Sequence, residues 1–185
     1  MQDNWLIKGA IKDAQSVTAE WRSADTALIE GVRLQEVKNV VKQNGFLTEL
    51  YRRDWALDGG VVDQVFQVRL APGGLSAWHA HGLTTDRLFV GEGTLKIVLY
   101  DGRQDSVSYR KINVFRCSHV RPMLIVIPPG VWHGVHNIGA DTATLINMVD
   151  RAYDYSNPDH WRLAPDTPQI PYCFGDDLAK DALAG

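Results

Sequence analysis

His79 and His81 stand two residues apart in the apolar run LSAWHAH. Asp86 follows after GLTT, and His133 comes just after Pro128-Pro129-Gly130. Three imidazoles and one carboxylate can do two kinds of chemistry. They can hold a divalent transition ion (Zn, Mn, Fe or Ni) with coordination positions left for water or substrate. They can also take up and return protons near neutral pH. Side chains alternate along a strand, so His79 and His81 point to one face. Asp86 at the start of the next strand and His133 after a turn can converge on the same point if the strands close into an antiparallel barrel.

The surrounding sequence has the texture such a barrel needs. From about Gly45 onward, short strand-like runs such as FLTELY, VFQVRL, RLFVGEG, LKIVLY, MLIVIP and ATLINMV alternate with breaks at Pro72-Gly73-Gly74, Gly91-Glu92-Gly93, Asp101-Gly102-Arg103 and Gly139-Ala140-Asp141. Many short strands at near-regular spacing predict an antiparallel sandwich or barrel. No periodic segment of helical length separates them, which argues against a βαβ fold. Residues 1–43 read as an N-terminal extension, mixed or helical, in which Ser23 or Asp25 caps a short helix. Residues 44–156 read as the barrel. Residues 157–185 read as an irregular, proline-rich tail packing on it, with a short helix in DDLAKDALAG. The whole reads as one domain, for which 185 residues suffice.

Composition excludes several classes. Apolar residues make up 45% and charged residues 22%, ordinary for a globular protein. A net charge of -3 argues against nucleic acid or an anionic membrane as partner. No apolar run is long enough to cross a bilayer, and MQDNWLIKGAIKDAQ lacks the pattern of a secretory leader, so a cytoplasmic protein is expected. Cys117 and Cys173 make neither a disulfide framework nor a zinc-ligand pair and read as small buried residues.

Two spaced motifs resemble those of the cupin superfamily. The first is carried by Gly73, His79, His81, Asp86 and Gly93, with Asp where Glu is usual. The second is carried by Pro128, Gly130, His133 and Asn137, with Pro122 where a glycine is usual. The resemblance implies an all-β, double-stranded β-helix (jelly-roll) barrel with short helical or irregular extensions at both ends. In metal cupins the matching residues would be ligands, here His79, His81, Asp86 and His133.

A narrower resemblance covers residues 44–172. AWHAH (77–81), LKIVLYDGRQDSVSY (95–109), VIPPGVWHGVHNIG (126–139) and VDRAYDYSNPDHWRL are similar to segments of the dTDP-4-dehydrorhamnose 3,5-epimerase family. That resemblance implies a nucleotide-linked 4-keto sugar as substrate, no required cofactor, and a homodimer formed by exchange of edge strands. It implies His79 as the base, oriented by a carboxylate, with His133 beside it in the pocket. Glu49 matches an early acidic residue and Gln67 falls near a second pocket histidine. Asp181 is a candidate for the base-orienting carboxylate. The chain also departs from the family. Asn147 falls where a proton-donating tyrosine is expected, and Asn44 and Ser76 fall where arginines hold phosphate. Tyr153 or Tyr155 can substitute for the missing phenol if the tail folds over the pocket, and a one-base isomerisation by His79 needs no opposing acid.

Three functions therefore stand: an epimerase or isomerase of nucleotide-linked keto sugars, a metal-dependent cupin of diverged chemistry, and a non-catalytic sugar-nucleotide binder. Of the remaining residues, Arg87 is a candidate for phosphate, although alternation puts it on the face opposite Asp86. Trp78 and Trp132 read as an outer packing layer. Lys96 and Tyr100 share a face, either solvated, at a dimer contact or in a pocket. His136 reads as outward-facing, Asn137 as a brace for its turn, His119 and His160 as surface residues, and Asp150 with Arg151 as a salt bridge.

Overall fold

The computed structural model describes residues 5–13, 15–19, 27–57 and 60–175. Chain contacts divide into two units, residues 28–174 and residues 1–27 together with 175–185. Among the described residues, twelve strands lie in the larger unit. They are β1 (Arg33–Glu36), β2 (Asn39–Lys42), β3 (Gly45–Thr48), β4 (Gln64–Leu70), β5 (Leu75–Ala80) and β6 (Asp86–Glu92). They continue with β7 (Thr94–Asp101), β8 (Ile112–Ser118), β9 (Met123–Ile127), β10 (Val131–Asn137), β11 (Ala143–Val149) and β12 (Trp161–Arg162). Two five-stranded antiparallel sheets form, β1-β9-β6-β11-β4 and β12-β5-β10-β7-β8, and β2 pairs with β3 as a separate hairpin. This is the jelly-roll barrel expected from the two motifs.

Within residues 1–43 the described part carries strands rather than a helix, and β1 extends a barrel sheet by pairing with β9. β1 itself carries one apolar residue, Leu34, and the sheet edge supplied the partner that local sequence could not reveal. In the smaller unit, Ile7 and Ala10 close a turn through a backbone hydrogen bond. Ser23, Asp25 and the DDLAKDALAG segment lie outside the described residues.

Alternation along the strands builds three apolar layers. Leu95, Ile97 and Leu99 of β7 meet Leu88, Ile125 and Leu145 between the sheets, all almost fully buried. The opposite face of β7 is covered as well. Val98 and Tyr100 pack with Trp78 and with Ile170 and Phe174 of the tail, while Lys96 is fully buried with its ammonium 5.9 Å from the centre of the Phe174 ring. On the other sheet, Phe89, Leu124 and Met148 are covered by Leu50, Tyr51, Trp55 and Leu57. Long strand runs of near-continuous hydrophobicity are thus explained by burial on both faces.

The motif residues outside the site hold turns and close approaches. Gly93 has φ 75°, and a Cβ there would lie 2.7 Å from the Cβ of Ala143. Asn137 donates to the carbonyls of Leu70, Ala71 and Asp141 and accepts from Gly139 N–H, so it braces the turn as expected. The Asp-Gly-Arg…Ser…Ser stretch closes on Asp101. Burial opposes charge on this carboxyl, but hydrogen bonds from Arg103, Ser106 and Ser108 hold it well below the ordinary carboxylate range.

Candidate functional site

A cleft of about 780 Å³ opens between the two sheets, within the range of small-molecule sites. Its deep part is formed by His79 and His81 at the end of β5, Asp86 at the start of β6, His133 on β10 and Asn147 on β11. Asp86, His133 and Asn147 are almost wholly buried. The tail supplies the outer wall through Tyr153, Tyr155, His160 and Arg162, and Gln64 stands at the end of β4.

The strand β5 is irregular where it matters. Its register against β10 passes from His79 opposite His133 to Ser76 opposite Val135, so one extra residue sits on the β5 side. Simple alternation would put Ala77 in the cleft with His79 and His81. The bulge puts Ser76 there instead, and its Oγ lies 2.9 Å from His79 Nε2. Ala77 turns toward Gly134, where an added Cβ would come within 2.7 Å of the Ala77 methyl. Only glycine leaves room for that turn beside His133.

Each imidazole is anchored. His79 Nδ1 lies 2.8 Å from His160 Nε2. His81 Nδ1 donates to the Asp159 carbonyl at 2.5 Å, and His133 Nδ1 donates to the Val131 carbonyl at 3.3 Å. A carbonyl only accepts, so these bonds place the protons of His81 and His133 on Nδ1 and leave their Nε2 lone pairs free when the rings are neutral. Those nitrogens face Asp86 Oδ2 at 3.6 and 3.9 Å. Asn147 Nδ2 donates to the other oxygen of Asp86 at 2.7 Å, and Asn147 Oδ1 accepts from Arg87 N–H.

Burial, followed by the neighbouring His133, Arg162, His160 and His81, pushes the His79 pKa down to about 3. Burial also lowers those of His133, against the pull of Asp86, and of His160. These three rings are therefore neutral bases at neutral pH.

Of the residues singled out by sequence, His79, His81, Asp86, His133 and Asn147 come together, and Tyr153 and Tyr155 line the same cleft with their rings 5.4 Å apart. Three expectations are corrected. Glu49 lies outside the cleft, largely exposed, and pairs with Arg52 at 3.2 Å. Gln67 alternates with Phe66 and Val68, which line the cleft, and so faces away from it. Arg87 projects through the opposite face of its sheet, donating to the carbonyls of Gly60 and Met148 with its guanidinium 5.6 Å from the Tyr51 ring centre. Asp181 lies outside the described residues. Cys173 is exposed rather than buried, and Asp150 accepts from Thr85 N–H.

His160 was expected at the surface and instead lies among the pocket histidines, 5.0 Å between ring centres from both His79 and His81. Asp159 brings it there. The Asp159 carboxylate accepts from the N–H groups of Gly82, Leu83 and Thr84 and from the Thr84 hydroxyl. The sequence signal was faint, an Asp-His pair just past Asn-Pro in a tail already expected to wrap the barrel.

His81, Asp86 and His133 could also hold a metal ion, since one ligand atom from each lies within 4.8 Å of the others. The chemistry of the set fits, with two free imidazole nitrogens, a carboxylate, and the second nitrogen of each ring tied down. His79, the fourth expected ligand, is not among them. Its nitrogens face Ser76 and His160.

No protein-family model matches the chain. It is 30% identical to a Haloferax volcanii protein named a probable low-salt glycan biosynthesis epimerase, Agl13, over 75% of this chain and 89% of that one. It is 31% identical to the spore coat polysaccharide biosynthesis protein SpsL of Bacillus subtilis, over 78% of this chain and 95% of that one. Among solved structures, a dTDP sugar isomerase from Desulfovibrio desulfuricans superposes with a TM-score of 0.74 at 26% identity, covering 80% of this chain and 92% of that one. The barrel, the histidine cleft and these relatives together show that the chain belongs to the family of dTDP-4-dehydrorhamnose 3,5-epimerase-like sugar epimerases and isomerases.

Proposed function

We propose that the protein is an epimerase or isomerase of a nucleotide-linked 4-keto sugar and that His79 is its base. The observation that carries this reading is a neutral, anchored imidazole in a cleft of sugar-nucleotide size, in a chain of this family. A keto group acidifies the C–H bonds on the carbons beside it. His79 takes such a proton, the electron pair moves onto the keto oxygen as an enolate, and return of a proton to carbon completes the change. His81 and His133 keep their N–H groups on backbone carbonyls and turn Nε2 toward Asp86, so as neutral rings they supply the enolate no hydrogen-bond donor.

Asn147 has no acidity to offer and is engaged with Asp86. The returning proton then comes from a phenol of the tail on the opposite face, which inverts the carbon and for which Tyr153 and Tyr155 stand at the cleft, or from His79 itself, which on one face carries it to the former keto carbon while the hydroxyl proton of the deprotonated carbon passes to the former keto oxygen, an isomerisation. Arg151 and Arg162 also line the cleft and are the cations suited to a diphosphate, in place of the arginines lacking at 44 and 76.

The test is incubation with a dTDP-4-keto-6-deoxy sugar in deuterated water. The wild type incorporates deuterium beside the keto carbon, and His79→Ala slows that incorporation at least about 100-fold, the usual contribution of a general base. Equal exchange by the two proteins removes His79 from the role. Binding of the sugar nucleotide with no exchange even by the wild type would point to a binder.

A second reading rests on the three convergent ligands. His81, Asp86 and His133 would hold a divalent ion, which when bound would polarise a keto oxygen. Elemental analysis of protein purified without chelator decides this, with about one ion per chain expected under that reading. A homodimer is part of the proposal, and its mass in solution is the check.

A further inference from the structure

We propose that His160 is the positioning residue of His79, an imidazole acceptor doing the work of a base-orienting carboxylate. The inference rests on the reading of His79 as the base. Both ring nitrogens of His79 are occupied, Nε2 by Ser76 Oγ at 2.9 Å and Nδ1 by His160 Nε2 at 2.8 Å. A neutral imidazole carries one proton, so only two arrangements satisfy both contacts. In one, His160 donates to Nδ1 and His79 keeps its proton on Nε2, which makes it useless as a base at the Ser76 side. In the other, His79 donates from Nδ1 to His160, and Nε2 keeps its lone pair with the Ser76 hydroxyl donating to it. The serine serves either state; the histidine selects between them.

A base at Nε2 requires the second arrangement. When Nε2 receives a proton from carbon, His79 becomes an imidazolium whose Nδ1–H must be accepted by something. Among the described residues the group hydrogen-bonded to Nδ1 is His160, whose own remaining proton then sits on Nδ1 of that ring. No covalent bond changes at His160; it accepts the hydrogen bond while the proton is held, and the proton leaves by the same Nε2.

His160 is fixed on both sides along the chain. Before it, the Asp159 carboxylate takes four hydrogen bonds from residues 82–84, and its carbonyl takes the His81 proton. After it, Trp161 and Arg162 pair with Ala80 and His79 as β12. A ring held this way loses little freedom on accepting the bond, which is what a preorganised site requires. A purely packing role for His160 would need neither the acceptor nitrogen nor this two-sided clamp.

Three variants separate positioning from packing. His160→Phe fills the space without an acceptor, His160→Gln places an amide oxygen near the position of Nε2, and His160→Glu places a carboxylate there. Deuterium exchange into the keto sugar is expected to show kcat reduced about 100-fold in His160→Phe with KM within about threefold of wild type. His160→Gln should recover kcat to within about tenfold of wild type, and His160→Glu should match or exceed wild type, since a charged acceptor stabilises an imidazolium more than a neutral one. Nitrogen NMR of the resting protein should show the His79 proton on Nδ1 in the wild type and a shift toward Nε2 in His160→Phe. A wild-type proton on Nε2, or an unchanged kcat in His160→Phe, overturns the proposal. The NMR measurement needs no substrate, so a protein that turns over no keto sugar defeats the reading of His79 as the base while still testing the role of His160.

Discussion

At the scale of single residues the pocket is governed by where protons can sit. Three histidines donate or are offered hydrogen bonds at Nδ1, and burial keeps His79 and His133 from charging. An imidazole whose conjugate acid has a pKa of about 3 is unprotonated at every pH well above that value and is lost as a base when pH falls through it. The acid limb of kcat/KM, which reports the free enzyme, should therefore lie below about pH 5, not near the value of an ordinary histidine. A limb centred near pH 6.5 that persists in His133→Asn would show that burial does not lower the His79 pKa in solution. Asn147 poses a different constraint. Because its amide donates to Asp86 at 2.7 Å, Asn147→Asp would set two carboxyls against each other. That variant should lose about 1–3 kcal/mol of stability at pH 7 by denaturant unfolding and recover part of it at lower pH, where one carboxyl protonates. No loss at pH 7 would mean that the contact carries little.

At the scale of elements, the site depends on the tail as much as on the strands. β5 and β10 set His79 opposite His133, but the segment around Asp159 closes the other side. Asp159→Ala removes an acceptor used by three backbone N–H groups and one hydroxyl. We expect a stability loss of about 1–3 kcal/mol, faster amide exchange at 82–84, and loss of keto-sugar turnover with the barrel retained. Unchanged exchange at those amides would show that the clamp does not hold in solution. The outer layer is equally tied to the tail. Phe174 packs 5.0 Å from the Trp78 ring centre, over a strand face that would otherwise be wet.

At the scale of the whole molecule, buried neutral histidines link stability to pH. The native state holds the pKa values of His79, His133 and His160 below their ordinary value of 6.5, while the unfolded chain titrates near that value. Their neutral burial is therefore without penalty above about pH 6.5, and stability falls as pH drops below it, because the unfolded chain gains protons first. Each histidine adds a slope of up to about 1.4 kcal/mol per pH unit. The Tm should fall by about 2–4 °C for each kcal/mol lost on going from about pH 7.5 to 5.5, and by less in a His133→Asn variant. A flat Tm over that interval would show that these rings are solvated in the native state. Among the described residues no helix is long and apolar enough to cross a membrane.

The barrel and its central residues were legible in the sequence because both depend on short-range rules. Strand alternation, the turns at Gly93 and Gly130, and the spacing of His79, His81, Asp86 and His133 are local properties, and the family resemblance reads the same positions. Residue parity also told that Arg87 faces away from Asp86. Tertiary structure alone decided the rest. A bulge in β5 exchanged Ala77 for Ser76 in the cleft, and a one-residue change of phase cannot be read from an apolar run. Glu49 and Gln67 fell outside because matching a position does not determine which face it turns to the cleft. The partner of His79 is His160, 81 residues along the chain, and only the folding of an irregular tail across β5 could bring His160 Nε2 to 2.8 Å from His79 Nδ1. Periodicity carries the strands and the residues on them; contacts between a strand and a loop without period belong to the folded molecule.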